Sequence, residues 1–314
     1  MTEVEPASGA VHVRAPGKIN IALKVGAKQD DGYHPLATVF QAVSLYEDIV
    51  AEPDSRIRVS VTGRHADRVP TDERNLAHRA AQLLADATGT EEGVHLRITK
   101  GVPTSGGMGG GSADAAAALL ACDLLWGTGL AREELGHLAA EIGADVPFAL
   151  TGQTALGLGR GDVLTPALAR GRFHWVLALL EDGLSTPEVF RAWDVMTTTP
   201  PPAPAIPSEL MQALVSGDPH RLQNLLVNDL NAPAIRLQPR IADVFDALES
   251  TSALARVVSG SGPTVVALAA DHAAALGIAN SLRRAGVADE VLVVTGPTSG
   301  ARLIESVRAA ETEG

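Results

Sequence analysis

Apolar and polar residues alternate along the first part of the chain, in VHVRAPGKINIALKV and again in HPLATVFQAVSLYEDIVAE. Ile19, Ile21 and Leu23 occupy every second position, and Lys18 and Asn20 lie between them. Because successive side chains of a strand point to opposite faces, this period of two predicts half-buried strands. The polar stretch QDDG predicts a turn that separates the two strands.

Two further strands and three helical segments follow. RIRVSVTG and VHLRITKGVP alternate like the first strands, and RNLAHRAAQLLADATG between them has the period of a helix that ends on Gly89. The glycine-rich loop PTSGGMGGGS comes next, and an alanine-rich run predicts a helix from about Ser112 to Trp126 that stops at Gly127. AREELGHLAAEIGADVPFAL predicts another helix, which breaks before Pro147.

The second half of the chain alternates strand candidates with helical segments. HWVLALLED, ARVVSGSGPTVVALAA and DEVLVVTG are the apolar strand candidates. The segment 197–207, TTTPPPAPAIP, contains five prolines and predicts an exposed connection. This order of elements favours an α+β fold class, and a length of 314 residues favours two domains, which we place at 1–165 and 166–314.

Composition and charge exclude several classes of function. The chain is 46% hydrophobic and only 3% aromatic, which is typical of a folded protein with an aliphatic core. Its formal net charge of −12 would repel a nucleic acid or an acidic membrane surface, so we expect neither as a partner. No apolar run reaches the length of a membrane span, and the acidic start MTEVEPASGA lacks the apolar core of a signal peptide. We expect a soluble, cytoplasmic protein in which the one cysteine, Cys122, is a core residue.

Five glycines lie within the six residues 106–111, directly before the alanine-rich helix. Glycine adopts positive φ at low cost, so consecutive N–H groups of such a loop can converge on an anion. The helix N-terminus adds further unpaired N–H groups and a positive dipole end, which together favour a phosphate. Ser112 could cap this helix or reach a phosphate or metal oxygen. The loop alone also allows a flexible turn that binds nothing.

Two common phosphate-binding loops do not fit this segment. A P-loop needs a lysine before the serine, whereas Gly111 precedes Ser112 and the loop contains no lysine. A dinucleotide-binding fingerprint has the pattern G-x-G-x-x-G. Gly107 and Gly109 match its first two glycines, but Ser112 stands where the third glycine is needed.

Three segments together resemble the three sequence motifs of the GHMP kinases, the superfamily of galactokinase, homoserine kinase and mevalonate kinase. They are APGKINIAL (15–23), PTSGGMGGGSADAAAAL (103–119) and VVSGSGPTVVAL (257–268). The resemblance spans essentially the whole chain. It implies a ribosomal protein S5-like N-terminal domain that binds ATP through the glycine loop, a ferredoxin-like C-terminal domain, and a substrate between them.

Two more segments resemble one family within that superfamily. DDGYHPLATVFQAVSLYEDI (30–49) and IGADVPFAL (142–150) are similar to the 4-diphosphocytidyl-2-C-methyl-D-erythritol kinases of the non-mevalonate isoprenoid route. The resemblance implies ATP-dependent phosphorylation of the 2-hydroxyl of the cytidyl-linked methylerythritol. A related small-molecule kinase is the alternative, distinguished by whether a cytidine nucleotide binds. A second alternative is a sensor of the same fold without catalysis, which the presence of Lys18, Asp145 and the glycine loop disfavours.

The resemblance assigns the chemistry to two charged residues. Alone, Lys18 resembles a solvated surface lysine and Asp145 a turn carboxylate or helix cap. By resemblance, Asp145 is the catalytic base and Lys18 is paired with it, orienting the carboxylate and polarising the hydroxyl. Mg²⁺ is expected to bridge the β- and γ-phosphates of ATP. The family often has two serines after the glycines, but this chain has Ser112 followed by Ala113, which leaves Ser112 as the candidate for contact with the metal.

The resemblance also assigns binding residues, most of which have a simpler structural explanation as well. Asn75 is equally a helix N-cap, the SGSG turn equally a tight turn before a strand, and Phe40 equally a core residue. Adjacent Tyr33 and His34 after a turn are better explained as a loop-borne site for a base. The ATP-binding candidates are Pro103, Gly106, Gly107, Met108, Gly109, Gly110, Gly111, Ser112, Asn75 and Leu76. The substrate-binding candidates are Asn20, Tyr33, His34, Phe40, Thr186, Phe190, Gly260, Ser261 and Gly262.

Overall fold

The computed structural model describes residues 9–104 and 106–306 and contains two β-sheets. The strands are β1 (Val11–Val25), β2 (Leu36–Asp54), β3 (Arg58–Gly63), β4 (Gly93–Lys100), β5 (Thr154–Gly159), β6 (Val163–Pro166), β7 (Phe173–Leu179), β8 (Val227–Asn228), β9 (Ala255–Val258), β10 (Val265–Ala269), β11 (Glu290–Gly296) and β12 (Arg302–Ser306).

The α-helices flank these sheets. They are α1 (Leu76–Thr88), α2 (Gly110–Trp126), α3 (Arg132–Ile142), α4 (Val146–Thr151), α5 (Thr186–Met196), α6 (Ser208–Ser216), α7 (Asn231–Leu237), α8 (Arg240–Glu249) and α9 (His272–Ala285). Across the described ranges, no helix combines the length and the apolar character that crossing a membrane requires.

The first sheet is built on the two long strands that the alternating pattern predicts. Its order is β12-β1-β2-β4-β3, with β5 and β6 continuing from β2 and β8 paired to β1. Helix α2 packs between this sheet and α1, and its consecutive alanines 115–118 are fully buried. Alanine side chains let α2 approach the strands closely, and Cys122 lies in the same core, where burial raises the pKa of its thiol. The core position predicted for Cys122 is confirmed.

The second sheet is antiparallel, in the order β11-β7-β10-β9. One face packs against α8 and α9, and the other shares a core with β1 and β2 of the first sheet. Trp175 of β7 lies in this shared core and donates a hydrogen bond from Nε1 to Oε1 of Gln41 at 2.9 Å. The two sheets are therefore joined by a continuous apolar layer, and the α+β class is confirmed.

The structure corrects the predicted start of the helix after the glycine loop. Helix α2 begins at Gly110 rather than near Ser112, and Gly109, with φ 71°, occupies its N-cap position. Ser112 is thus the third residue of the helix and not its cap. Helix α3 ends at Ile142, and Pro147 lies in the first turn of the separate helix α4.

Two pairings were not predicted. The short strand β8 runs parallel to β1 at Ala22 and Leu23, and β12 runs antiparallel to β1 between Val11 and Arg14. Both strands lie beyond residue 165 yet complete the first sheet, and the division into 1–165 and 166–314 stays a prediction. The segment 197–207 connects α5 to α6 without regular structure and is largely exposed, as predicted.

Candidate active site

The glycine loop lies in a gap along one edge of β1. That edge pairs with β12 near Val11 and with β8 near Leu23, and between them the Lys18 N–H donates to the Met108 carbonyl at 2.9 Å. The Met108 side chain is fully buried in the core between the sheets. The loop is thus held by a backbone hydrogen bond to the strand that carries Lys18, with Met108 as its apolar anchor.

The loop also rests on the SGSG turn of the second sheet. Ser259 Oγ donates to the carbonyl of Gly107 at 3.0 Å. A Cβ atom at Gly107 would clash with the backbone carbonyl of Ser259, and φ at Gly107 is 72°. Only glycine fits this contact, because both the space and the backbone conformation exclude a side chain.

Lys18 is buried and paired, in contrast to a solvated surface lysine. It is 8% exposed, and Nζ lies 2.7 Å from Asn20 Oδ1 and 3.7 Å from Asp145 Oδ2. Asn20 donates from Nδ2 to Thr38 Oγ1 at 2.7 Å, and Thr38 donates to the Ala22 carbonyl at 2.7 Å. This chain of hydrogen bonds fixes the orientation of the Asn20 side-chain amide, so its oxygen faces the Lys18 ammonium.

Asp145 precedes α4, but its side chain makes no capping hydrogen bond. The carboxylate points instead toward Lys18 and the N-terminus of α2. A Cβ atom at Gly109 would lie 3.3 Å from Lys18 Cγ and 3.8 Å from Asp145 Oδ2. The glycine loop and the charged pair are therefore in direct contact.

A cavity of about 380 Å³, hereafter the transfer cavity, opens at this contact. Its lining includes most of the predicted site residues: Lys18, Asn20, Phe40, Leu76, Pro103, Gly106, Gly107, Gly109, Gly110, Gly111, Ser112, Asp145, Thr186, Phe190, Gly260 and Ser261. Five predicted residues do not line it: Met108 lies in the core, Gly262 lies against Val258, Asn75 caps α1 by accepting from Ala77 N at 2.8 Å, and Tyr33 and His34 line a second cavity. The hydroxyl oxygens of Thr186 on α5 and Ser261 in the SGSG turn lie 2.8 Å apart.

A second cavity of about 690 Å³, the base cavity, adjoins the first. His34 is stacked on Phe190 with ring centroids 5.3 Å apart, and the edge of Trp193 contacts it from the side. His34 Nε2 lies 2.7 Å from Asp194 Oδ1. Tyr33 is 54% exposed at the rim. Tyr33, His34 and Phe190 thus line one cavity, and their role in binding a planar base stays a prediction.

Phe40 lies apart from these three rings. It is buried against Phe148 at 5.1 Å, and Lys18 Nζ lies 5.2 Å from the centre of its ring. Its position supports the ammonium of Lys18 rather than the wall of the base cavity.

Several residues of the site escaped the sequence analysis. Arg160 lines both cavities, Lys28 and Asp194 line the base cavity, and Thr38 orients Asn20. The one available signal was the sequence GLGRGD, where a single cation stands between glycines. Asp194 gave no signal, because it lies on a helix with several other polar residues.

A buried charged cluster behind the loop also escaped notice. Lys100 Nζ lies 2.6 Å from Glu47 Oε1 and 2.5 Å from Asp114 Oδ2, and all three side chains are almost fully buried. Burial, reinforced by the charge of Asp114 and opposed by Lys100, raises the pKa of Glu47 to about 8. Burial also raises the pKa of Asp114. Burial thus favours the protonated form of the carboxyls in this cluster, and the ammonium of Lys100 opposes it.

Two family models and many known proteins match the sequence of this chain. "GHMP kinases N terminal domain" matches residues 75–153 and "GHMP kinases C terminal" matches residues 210–288. The 4-diphosphocytidyl-2-C-methyl-D-erythritol kinase of Leifsonia xyli subsp. xyli is 54% identical over 304 residues, which cover 94% of this chain and 99% of that protein.

Solved structures agree with this match. A crystal structure of 4-(cytidine 5'-diphospho)-2C-methyl-D-erythritol kinase is similar with a TM-score of 0.75 and 33% identity, covering 90% of this chain and 98% of that chain. L. major mevalonate kinase, at a TM-score of 0.73 and 20% identity over 95% of this chain and 100% of that chain, shares the fold. The chain belongs to the GHMP kinases and, within them, to the family of 4-diphosphocytidyl-2-C-methyl-D-erythritol kinases.

Proposed function

We propose that this protein transfers the γ-phosphoryl group of ATP to the 2-hydroxyl of 4-diphosphocytidyl-2-C-methyl-D-erythritol, the compound for which its relatives are named. The observation that carries the proposal is the pair Lys18 and Asp145 beside the glycine loop, next to an aromatic cavity. A non-catalytic sensor would not need a buried ammonium and a carboxylate beside the glycine loop.

The N-terminus of α2 would hold the phosphates of ATP. Its first residues, Gly110, Gly111 and Ser112, line the transfer cavity with N–H groups that have no partner within the helix. Leu76, at the start of α1, lines the same cavity and offers an apolar contact for the adenine. The helix dipole and the unpaired N–H groups together favour an anion at this end.

Asp145 would accept the proton of the attacking hydroxyl. The hydroxyl oxygen forms a bond to the γ-phosphorus, the bond from that phosphorus to the β,γ-bridging oxygen breaks, and ADP leaves with the electron pair. Lys18, fixed by Asn20, would polarise the hydroxyl and stabilise the negative charge that develops on the transferred group. Most of the catalysis would come from positioning and electrostatics, since the protein forms no covalent bond.

The residues present fit a Mg²⁺ ion held mainly by ATP. In the part of the chain that the structure describes, no three His, Cys, Asp or Glu side chains are grouped as a metal cage. Mg²⁺ often keeps few protein ligands and uses phosphate oxygens instead. Ser112 and Asp145, which line both cavities, would each offer it a side-chain oxygen. When bound, the ion would neutralise charge on the β- and γ-phosphates.

The base cavity would receive the cytosine. Tyr33, His34 and Phe190 provide planar surfaces, and the contact with Asp194 orients the His34 ring. Asn20, Thr186 and Ser261 lie between this cavity and the charged pair and offer hydrogen bonds to the methylerythritol.

Release of ADP tests the proposal directly. The purified protein is assayed with ATP and Mg²⁺ against the cytidyl substrate, homoserine and mevalonate. We expect turnover with the cytidyl substrate alone. Turnover with homoserine or mevalonate in its place would contradict the proposed acceptor, and no turnover with any of them would contradict the kinase activity.

A further inference from the structure

Arg160 connects the two cavities of the site. Six of the described residues line both: Leu36, Ser112, Asp145, Arg160, Thr186 and Phe190. Arg160 is the one cation among these six. A ligand that occupies both cavities can therefore contact this guanidinium.

The other cations near the path are held by carboxylates or lie to one side. Lys18 is paired with Asn20 and Asp145, and Lys28 lies 3.1 Å from Asp194. Arg191 lines the base cavity only and lies 3.5 Å from Glu188.

Arg160 is held loosely enough to exchange its partner. Its guanidinium lies 3.8 Å from the centre of the Tyr33 ring and 3.2 Å from Asp31 Oδ2. Both members of the ion pair are about half exposed, at 53% and 49%, so solvent screens their attraction. A doubly charged phosphate group would compete well with Asp31 for this arginine, because the planar guanidinium can donate two parallel hydrogen bonds to phosphate oxygens.

The turn that carries Arg160 is anchored close to the catalytic pair. Arg160 lies between β5 and β6, and its N–H donates to Asp162 Oδ1 at 2.9 Å. A Cβ atom at Gly157 or Gly161 would contact the ring of Phe40, which also lies 5.2 Å from the ammonium of Lys18. The backbone of this turn therefore packs on the same ring that contacts Lys18.

We propose that Arg160 binds the diphosphate of the acceptor substrate and so determines selectivity for a phosphate-linked cytidine. This inference rests on the proposed function. Tyr33 would present one ring face to the base while Arg160 remains stacked on the other. The guanidinium would then meet the diphosphate where it passes from the base cavity into the transfer cavity. The protein should bind cytidine diphosphate more tightly than cytidine because of this residue.

Equilibrium binding of cytidine and of cytidine diphosphate tests the inference, with the parent protein and Arg160→Gln, Arg160→Lys and Arg284→Gln variants. We expect Arg160→Gln to lower the preference for the diphosphate by roughly 10-fold and to change cytidine affinity less than about two-fold. Arg160→Lys should restore part of the preference, since it keeps the charge and loses the fork. Arg284→Gln, the matched control on the exposed face of α9 outside both cavities, should keep the preference of the parent. Thermal melting confirms that each variant is folded.

Steady-state kinetics separates this inference from the proposed function. Arg160→Gln should raise KM for the cytidyl substrate by about 10-fold and leave KM for ATP unchanged. An unchanged diphosphate preference, or a rise in KM for ATP instead, would overturn the role of Arg160 while the kinase activity stands. A parent protein that binds neither cytidine nor its diphosphate would contradict the proposed function itself.

Discussion

The ammonium of Lys18 and the carboxylate of Asp145 face each other 3.7 Å apart, with Gly109 against both side chains. Lys18 lies on β1, where apolar and polar residues alternate, and Asp145 lies directly before α4. A strand, a helix start and a glycine loop, far apart in sequence, thus meet at one point.

Asp145→Asn should lower turnover by on the order of 100-fold or more, because the amide keeps the size of the side chain but accepts no proton. ATP binding should change little, since the N-terminus of α2 is intact. Turnover and nucleotide affinity are measured separately, by ADP release and by titration. Turnover within a few-fold of the parent would assign Asp145 a structural role.

Lys18→Met should also lose turnover, and the double variant with Asp145→Asn should be little worse than the more damaged single variant. The two residues share one contact, so removing either one disables the same unit. The comparison uses kcat of all four proteins under the same conditions. Losses that multiply would show that Lys18 and Asp145 act independently.

Gly109→Val should abolish nucleotide binding at a modest cost in stability. The side chain would lie against Lys18, and φ of 71° is unfavourable for a β-branched residue. Gly127→Val is a matched control at the other end of α2, because φ there is 64° and the space around it is open. It should lower the melting temperature and leave ATP affinity at the level of the parent. Normal ATP affinity in Gly109→Val would remove the loop from the site.

Tyr33→Ala should raise KM for the cytidyl substrate by roughly 10- to 100-fold, in line with about 1–3 kcal/mol for one stacked base. KM for ATP should change little, because Tyr33 lines the base cavity alone. Free methylerythritol phosphate should be a poor substrate of the parent protein, since binding of the remote base helps place the hydroxyl. Equal use of both acceptors by the parent would contradict a cytidine site.

Glu47→Gln should flatten the pH dependence of stability between about pH 6 and pH 9. The pKa of Glu47 rises from 4.5 to about 8 on folding, so the folded state binds more protons in that interval. The free energy of unfolding therefore falls as pH rises from about 4.5 through about 8, by on the order of 2 kcal/mol above pH 6.

A neutral glutamine cannot titrate, so the slope of the free energy of unfolding against pH should be smaller in the variant. Denaturant unfolding at pH 6 and pH 9 measures it, with Glu133→Gln on the exposed start of α3 as the control. Equal slopes in the parent and in Glu47→Gln would show that the buried cluster holds no extra proton.

The sequence allowed β1 to β4, α1 and the phosphate loop to be predicted because their signals are local, whereas β5, β6, β8 and β12 were missed. Alternation revealed the strand of Lys18, and Asn75 and Gly89 both occupy the caps expected of them. The loop was predicted to be longer than it is, since Gly110 and Gly111 lie inside α2 and are not among the glycines with positive φ. That error followed from placing the helix start too late.

Long-range features could not be predicted in this way. The cluster of Glu47, Lys100 and Asp114 joins three elements whose sequences give no sign of contact. Arg160 reaches the site only because the hairpin of β5 and β6 folds over Phe40. Each depends on tertiary packing, which single residues and their spacing do not encode.

The strand that carries Lys18 is completed by β12, from the far end of the described chain, and by β8. Because β12 spans Arg302–Ser306, it can pair with β1 only after this segment has been synthesised. During synthesis, the first strand emerges from the ribosome long before its last partner. A nascent chain would therefore hold its lysine and its glycine loop in an unfinished sheet, and phosphoryl transfer would begin only when the protein is whole.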